Sequence, residues 1–90
     1  MIYLISDGNF VKIGKSCHPE KRLNQLQTGS SVKLKLLGTF DLPDSWERRL
    51  HGILSRSGFK KRGEWYNLNL GETQWLLDYL QKTLLQTDIF

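Results

Sequence analysis

Hydrophobic and polar positions alternate from the first residues: Ile2-Tyr3-Leu4-Ile5 and Val11-Lys12-Ile13-Gly14 flank an Asp7-Gly8 pair. Asp-Gly between two such runs predicts a β-hairpin, because a two-residue type I′ turn needs positive φ, which Gly adopts without strain. With Asp7 and Gly8 as the turn residues, Tyr3 is expected opposite Lys12, Leu4 opposite Val11 and Ile2 opposite Ile13. Pro19 then opens a helix at a position where its missing N–H costs nothing. Leu23 and Leu26 form the buried stripe of that helix, and Gly29 ends it. Over residues 32–40, Val32, Leu34 and Leu36 alternate with Lys33 and Lys35, which predicts a strand. Asp41 to Asp44 lead into a second helix running to about Ser57, with Trp46, Leu50, Ile53 and Leu54 as its apolar side. A basic turn at Lys60, Lys61, Arg62 and Gly63 precedes a short strand or extended stretch from Glu64 to Leu68, and a closing helix is expected over about 72–86. This order predicts an α+β fold: a small, mainly antiparallel three-stranded sheet, the N-terminal hairpin plus a third strand, flanked by helices. Ninety residues, 39% of them hydrophobic, make one domain over 1–90 with a modest core.

Charge adds a direction to this frame. The net charge of +4 is unevenly spread: residues 1–70 hold twelve of the thirteen Lys and Arg but six of the nine acids, whereas the last twenty residues are net negative. A polyanion such as nucleic acid would meet the first three quarters of the chain. The single Cys17 excludes an internal disulfide and fits a reducing cytoplasm. With no second Cys, and His51 the only imidazole besides His18, a structural zinc is not expected. No apolar run approaches the roughly 20 residues that span a bilayer, so no membrane partner is expected. On the last helix Trp75, Leu76, Tyr79, Leu80 and Leu84 follow helical spacing, while Leu77 and Leu85 widen the apolar surface; the surplus predicts either burial or a weak homodimer.

Several positions carry candidate chemistry. Tyr3 beside Lys12 would place an ammonium near a phenol and favour phenolate, a way to make a base; alternatively the Lys stem packs along the ring with its charge in water. Arg22 lies at the edge of the first helix's apolar stripe and can point along the surface toward the sheet. Glu47 shares a helical stripe with Leu50, His51 and Leu54, so its carboxylate needs a cation or a metal as partner; a surface ion pair with Arg48, Arg49 or a lysine is the plainer reading. His51 suits a second ligand, a general acid, a phosphate donor or a hydrogen-bonded edge histidine. In Glu64-Trp65-Tyr66-Asn67, Asn67 can place a backbone or phosphate oxygen; equally, Trp65 fills the core and Glu64 pairs with Lys or Arg. Lys60, Lys61 and Arg62 form a solvated turn or contact phosphate.

P-loop, dinucleotide fingerprint, zinc Cys pairs and nucleophile elbow are all absent from the sequence. A carboxylate, an arginine, a lysine, a tyrosine and a basic surface remain, which is the equipment of metal-assisted phosphodiester hydrolysis.

The same residues carry a family resemblance over roughly 2–68. Ile2-Tyr3 resembles the end of the first half-motif of the GIY-YIG nuclease superfamily, and Lys12-Ile13-Gly14 the second half-motif of its compact phage and bacterial subgroup. Lys15-Ser16, Pro19 to Leu23 and Leu26 to Gly29 are similar to the following helix, Glu47 to His51 to the metal-binding helix, and Gly63 to Tyr66 to the closing string. The resemblance implies a Mg²⁺-dependent (or Mn²⁺-dependent) DNA endonuclease in which Glu47 is the metal ligand and Arg22 and Lys12 contact the scissile phosphate. Tyr3 would assist deprotonation of water, with His51 and Asn67 in support. Lys15, Lys21, Lys60, Lys61 and Arg62 are the expected nucleic-acid contacts. The alternative is a non-cleaving nucleic-acid-binding or protein-interaction module of the same fold. The chain departs from the family pattern in lacking the first motif's glycine, in having Lys12 where tyrosine is usual, and in Leu26 where His or Tyr is frequent.

Overall fold

The computed structural model describes residues 1–59 and 61–89, with side chains through 86. In chain order the elements are β1 (Ile2–Ser6), β2 (Val11–Lys15), α1 (Pro19–Thr28), β3 (Lys35–Phe40), α2 (Ser45–Arg56), β4 (Lys61–Arg62), β5 (Trp65–Tyr66) and α3 (Leu70–Ile89). The α+β class stands, and the sheet is larger than the three strands expected. Among the described residues it has five strands in the order β3-β1-β2-β5-β4, each neighbouring pair antiparallel. The expected basic turn is itself half of a hairpin: Lys61 pairs Tyr66 and Arg62 pairs Trp65 around Gly63, whose φ of 61° a side chain would resist.

The first hairpin forms with a different register. Asp7 Oδ1 accepts from the Asn9 and Phe10 amides at 2.8 and 2.6 Å, and Asp7 N donates to Phe10 O at 3.1 Å. That side-chain-capped turn draws residues 7–10 into the loop where a two-residue turn was expected. Tyr3 therefore sits opposite Gly14, Leu4 opposite Ile13 and Ile5 opposite Lys12. A shift of two positions leaves every side chain on its expected face, and Tyr3 and Lys12 become diagonal neighbours at about 7–8 Å instead of direct partners.

β3 begins at Lys35, three residues later than expected, because Gln27 of α1 intercepts the preceding backbone: its Nε2 donates to Val32 O at 2.8 Å and its Oε1 accepts from Leu34 N at 2.7 Å. Between Leu4 and Ile5 the β1–β3 register slips, so that Leu36 opposes Ile5 and Gly38 opposes Leu4, with Leu37 extra. α3 starts two residues earlier than expected. Asn69 N donates to Glu72 Oε1 at 2.8 Å and Glu72 N donates to Asn69 Oδ1 at 2.7 Å, a reciprocal cap that satisfies two end groups.

The sheet is covered on both faces. Ile2, Leu4, Val11, Ile13 and Phe40 meet Leu50 and Leu54 of α2 and Leu76 and Leu80 of α3, while Tyr3, Ile5 and Leu34 meet Leu23 and Leu26 of α1. Leu77 is partly buried against the larger core, whereas Trp75 and Leu85 are exposed. The core thus takes up Leu77, which removes it from the surface expected to join two chains. Among the described residues no helix is long and apolar enough to cross a membrane.

Candidate functional site

The site forms where the sheet runs out. β5 has only two residues, which pair Val11 and Lys12 of β2, and Ile13 N still donates to Glu64 O at 3.5 Å. Past that point no strand among the described residues lies beside that edge of β2, and the Ile13 carbonyl accepts a hydrogen bond from His51 Nε2 at 3.0 Å. Because a carbonyl only accepts, Nε2 carries a proton, and Nδ1 lies 2.6 Å from the Tyr66 hydroxyl, which is also 3.4 Å from the His51 carbonyl oxygen. Both ring nitrogens are engaged, so His51 is the hydrogen-bonded edge histidine among the readings its sequence position allowed. It pins α2 to β2.

That pin places Glu47, one turn earlier on the same side of α2. The N-terminal end of α2 lies at the Gly14–Lys15 end of the hairpin, since the Met1 ammonium is 3.5 Å from Asp44 Oδ1 and Ile2 pairs Lys15. Glu47 is half-buried, and among the described residues its carboxylate has neither an ion pair nor a hydrogen bond. The surface ion pair with Arg48 or Arg49 does not form; the Arg49 guanidinium stacks 4.7 Å from the Trp46 ring.

On the opposite face Tyr3 is 2% exposed and lies across Gly14. A Cβ at Gly14 would stand 2.3 Å from the Tyr3 hydroxyl oxygen and 2.4 Å from Cζ, so glycine is required there for space. No described residue hydrogen-bonds this hydroxyl, and no buried side-chain oxygen lacks a partner, so the Tyr3 oxygen reaches solvent.

Lys12 is the largest departure from expectation. It does not stand beside Tyr3 as a direct partner; its ammonium pairs with Glu64 Oε2 at 2.5 Å and lies 5.9 Å from the Trp65 ring. The pair is lopsided, with side-chain exposures of 7% for Lys12 and 54% for Glu64, so the lysine depends on its partner and the glutamate keeps water. The Lys12 hydrogen bond holds the Glu64 carboxyl below the usual carboxylate range against a smaller opposing effect of burial, helped by the charges of Lys12, His51 and Arg22. Glu64 thereby ties the β4–β5 hairpin to β2. Sequence reading left it as one of two equal alternatives, and its adjacency to a Trp-Tyr pair on a basic hairpin was the available signal.

The other positions lie around this centre. Arg22 is exposed on α1, with Nη1 3.4 Å from Gln25 Oε1. Asn67 is exposed just past β5, Lys15 is exposed at the end of β2, and Lys21 borders a 550 Å³ cleft with Met1, His18 and Thr39. Lys61 and Arg62 stand on the outermost strand, stacked 5.5 Å from Tyr66 and 5.7 Å from Phe10 respectively. Lys60 lies outside the described residues. Among the described residues no three His, Cys, Asp or Glu side chains converge, so a cation at Glu47 would have at most one further ligand of these types. That donor set fits Mg²⁺, which commonly takes one or two carboxylates and completes its shell with water and substrate phosphate.

Comparison with known families matches the chain to the T5orf172 domain over residues 1–82, from the first hairpin into α3. No curated protein and no solved structure matches.

Proposed function

This chain belongs to the T5orf172 domain family, and from that premise we propose that it is a divalent-metal-dependent DNA endonuclease of GIY-YIG type, acting as one domain over 1–90. The family is associated with endonuclease-like activity. The observation that carries the finer reading is Glu47: a half-buried carboxylate with no cation beside it among the described residues, on the helix that His51 fixes against β2. Desolvating such a group without a partner is costly, and a hard cation removes the cost.

Each residue then has a role. Glu47 would hold Mg²⁺ or Mn²⁺, and the bound ion would neutralise charge on the phosphate and the leaving oxygen. Tyr3, whose hydroxyl has no hydrogen bond among the described residues and whose ring packs over Gly14, would take the proton of the attacking water. Lys12 and Arg22 supply positive charge to the nonbridging phosphate oxygens. His51 touches no substrate and holds α2 in place. Asn67 supports from the end of β5, and Lys15, Lys21, Lys60, Lys61 and Arg62 contact flanking phosphates.

The engagement of Lys12 by Glu64 favours a second reading, a module that binds nucleic acid without cutting it. Cleavage of supercoiled plasmid in Mg²⁺ separates the two. Wild-type protein should cut, and Glu47→Gln should fold and bind normally while losing about 10²-fold or more in rate. Equal rates would remove Glu47 as the ligand.

A further inference from the structure

Lys12 raises a question that its contact with Glu64 answers. An ammonium has three N–H donors. One goes to Glu64 Oε2 at 2.5 Å, and no other described acceptor takes the remaining two. The side chain is only 7% exposed, so at most a few waters at its tip can serve them. An isolated ammonium in that position would lose its proton instead of bearing the desolvation cost, because burial favours the neutral amine. Glu64 is the counter-charge that prevents this, and its backbone is held as well: Glu64 O accepts from Ile13 N, and Gly63 makes the tight turn before it. The pair is therefore aimed as well as charged.

Resting on the nuclease reading, we propose that Glu64 is a positioning residue whose carboxylate keeps Lys12 as a charged, fixed clamp with two open donors for the oxygens of a DNA phosphate. Glu64 itself need not touch the substrate. The other charges facing the pair come from each neighbouring element: Arg22 on α1, His51 on α2, and Arg62 on β4, which shares the Lys12 face through the Arg62–Trp65–Lys12 row of the sheet. None of the three is an acid, which leaves Glu64 as the single carboxylate balancing Lys12 among the described contacts.

The experiment compares wild type, Glu64→Gln and Glu64→Asp as full chains. It measures single-turnover cleavage of labelled duplex in Mg²⁺ against pH, binding of that duplex in Ca²⁺, and titration of the Lys12 ε-methylene by NMR. Gln keeps an oxygen acceptor and removes the charge that fixes Lys12, so cleavage should fall about tenfold or more. Its alkaline limb and the Lys12 signal should both respond at lower pH than in wild type. Asp keeps the charge and withdraws it by one methylene, so the limb should stay and the rate fall by about threefold. Wild-type rate, limb and titration in Glu64→Gln would overturn the proposal; if that variant does not fold, a wild-type rate in Glu64→Asp would do so. Should wild type cut no DNA in Mg²⁺ or Mn²⁺, the nuclease reading fails separately. The clamp then stands if added duplex shifts the Lys12 signal in wild type and not in the Gln variant, and falls if the wild-type signal does not move.

Discussion

Gly14→Ala tests the placement of Tyr3 without any assay of activity. A Cβ there would lie 2.3 Å from the Tyr3 hydroxyl oxygen, 2.4 Å from Cζ and 2.9 Å from Cε2, whereas real contacts of this kind sit beyond 3 Å. Clearing it needs a ring displacement near 1 Å. The ring has little freedom to move, because Tyr3 is 2% exposed and packed with Ile5, Leu34, Leu23 and Leu26. Overpacking of this sort costs about 1–3 kcal/mol. Replacing Gly by Ala inside a strand otherwise gains roughly 0.5–1 kcal/mol, and Gly14 does not adopt positive φ. The net loss in wild type should be about 1–2 kcal/mol, lowering Tm by roughly 4–16 °C in a domain of this size. In a Tyr3→Ala background the obstruction is gone and the sign should reverse, with Gly14→Ala now stabilising by roughly 0.5–1 kcal/mol. Urea unfolding of the four proteins followed by circular dichroism completes the cycle. Equal costs in both backgrounds would show that the ring does not lie over Gly14, and Tyr3 would lose its position in the site.

Asn69→Ala removes the cap of α3 and should cost about 1 kcal/mol, read in the same urea assay. Tyr3→Phe should leave stability within about 0.5 kcal/mol, since no described residue hydrogen-bonds the hydroxyl, while cleavage falls and DNA affinity holds. Lys12→Met should lower affinity and reduce the salt slope of binding by about one, with little loss of stability because Glu64 can rehydrate. The Glu64 carboxyl is more acidic in the folded protein than in the unfolded chain. Its contribution to stability is therefore fully present above the ordinary glutamate range and is lost as pH falls through the lower folded value. Unfolding of wild type and Glu64→Gln across that acid range should converge at the low end; a constant difference would mean that charge is not what Glu64 contributes.

Local chemistry was legible in the chain where the chain itself supplied both partners. Pro19 and Gly29 bound α1 because a missing N–H and a free C-terminal position are properties of those residues alone. The turn was harder. Asp7-Gly8 was read from Gly8, whose φ is indeed 102°, but the Asp7 carboxylate captured two amides and enlarged the loop. The error of two positions left the faces intact, because side-chain direction in a strand depends only on parity. It changed the partners, and partners are what the chemistry depends on. Lys12 looked like a neighbour of Tyr3 nine residues away, yet its ammonium pairs with Glu64, 52 residues away. That contact exists because a two-residue β5 lies against β2 and then stops, a fact about sheet closure that no local pattern near Lys12 encodes. The same truncation leaves the Ile13 carbonyl for His51 and so locates Glu47. The residue types of the site could thus be read from the sequence, whereas their mutual placement depends on where one short strand ends.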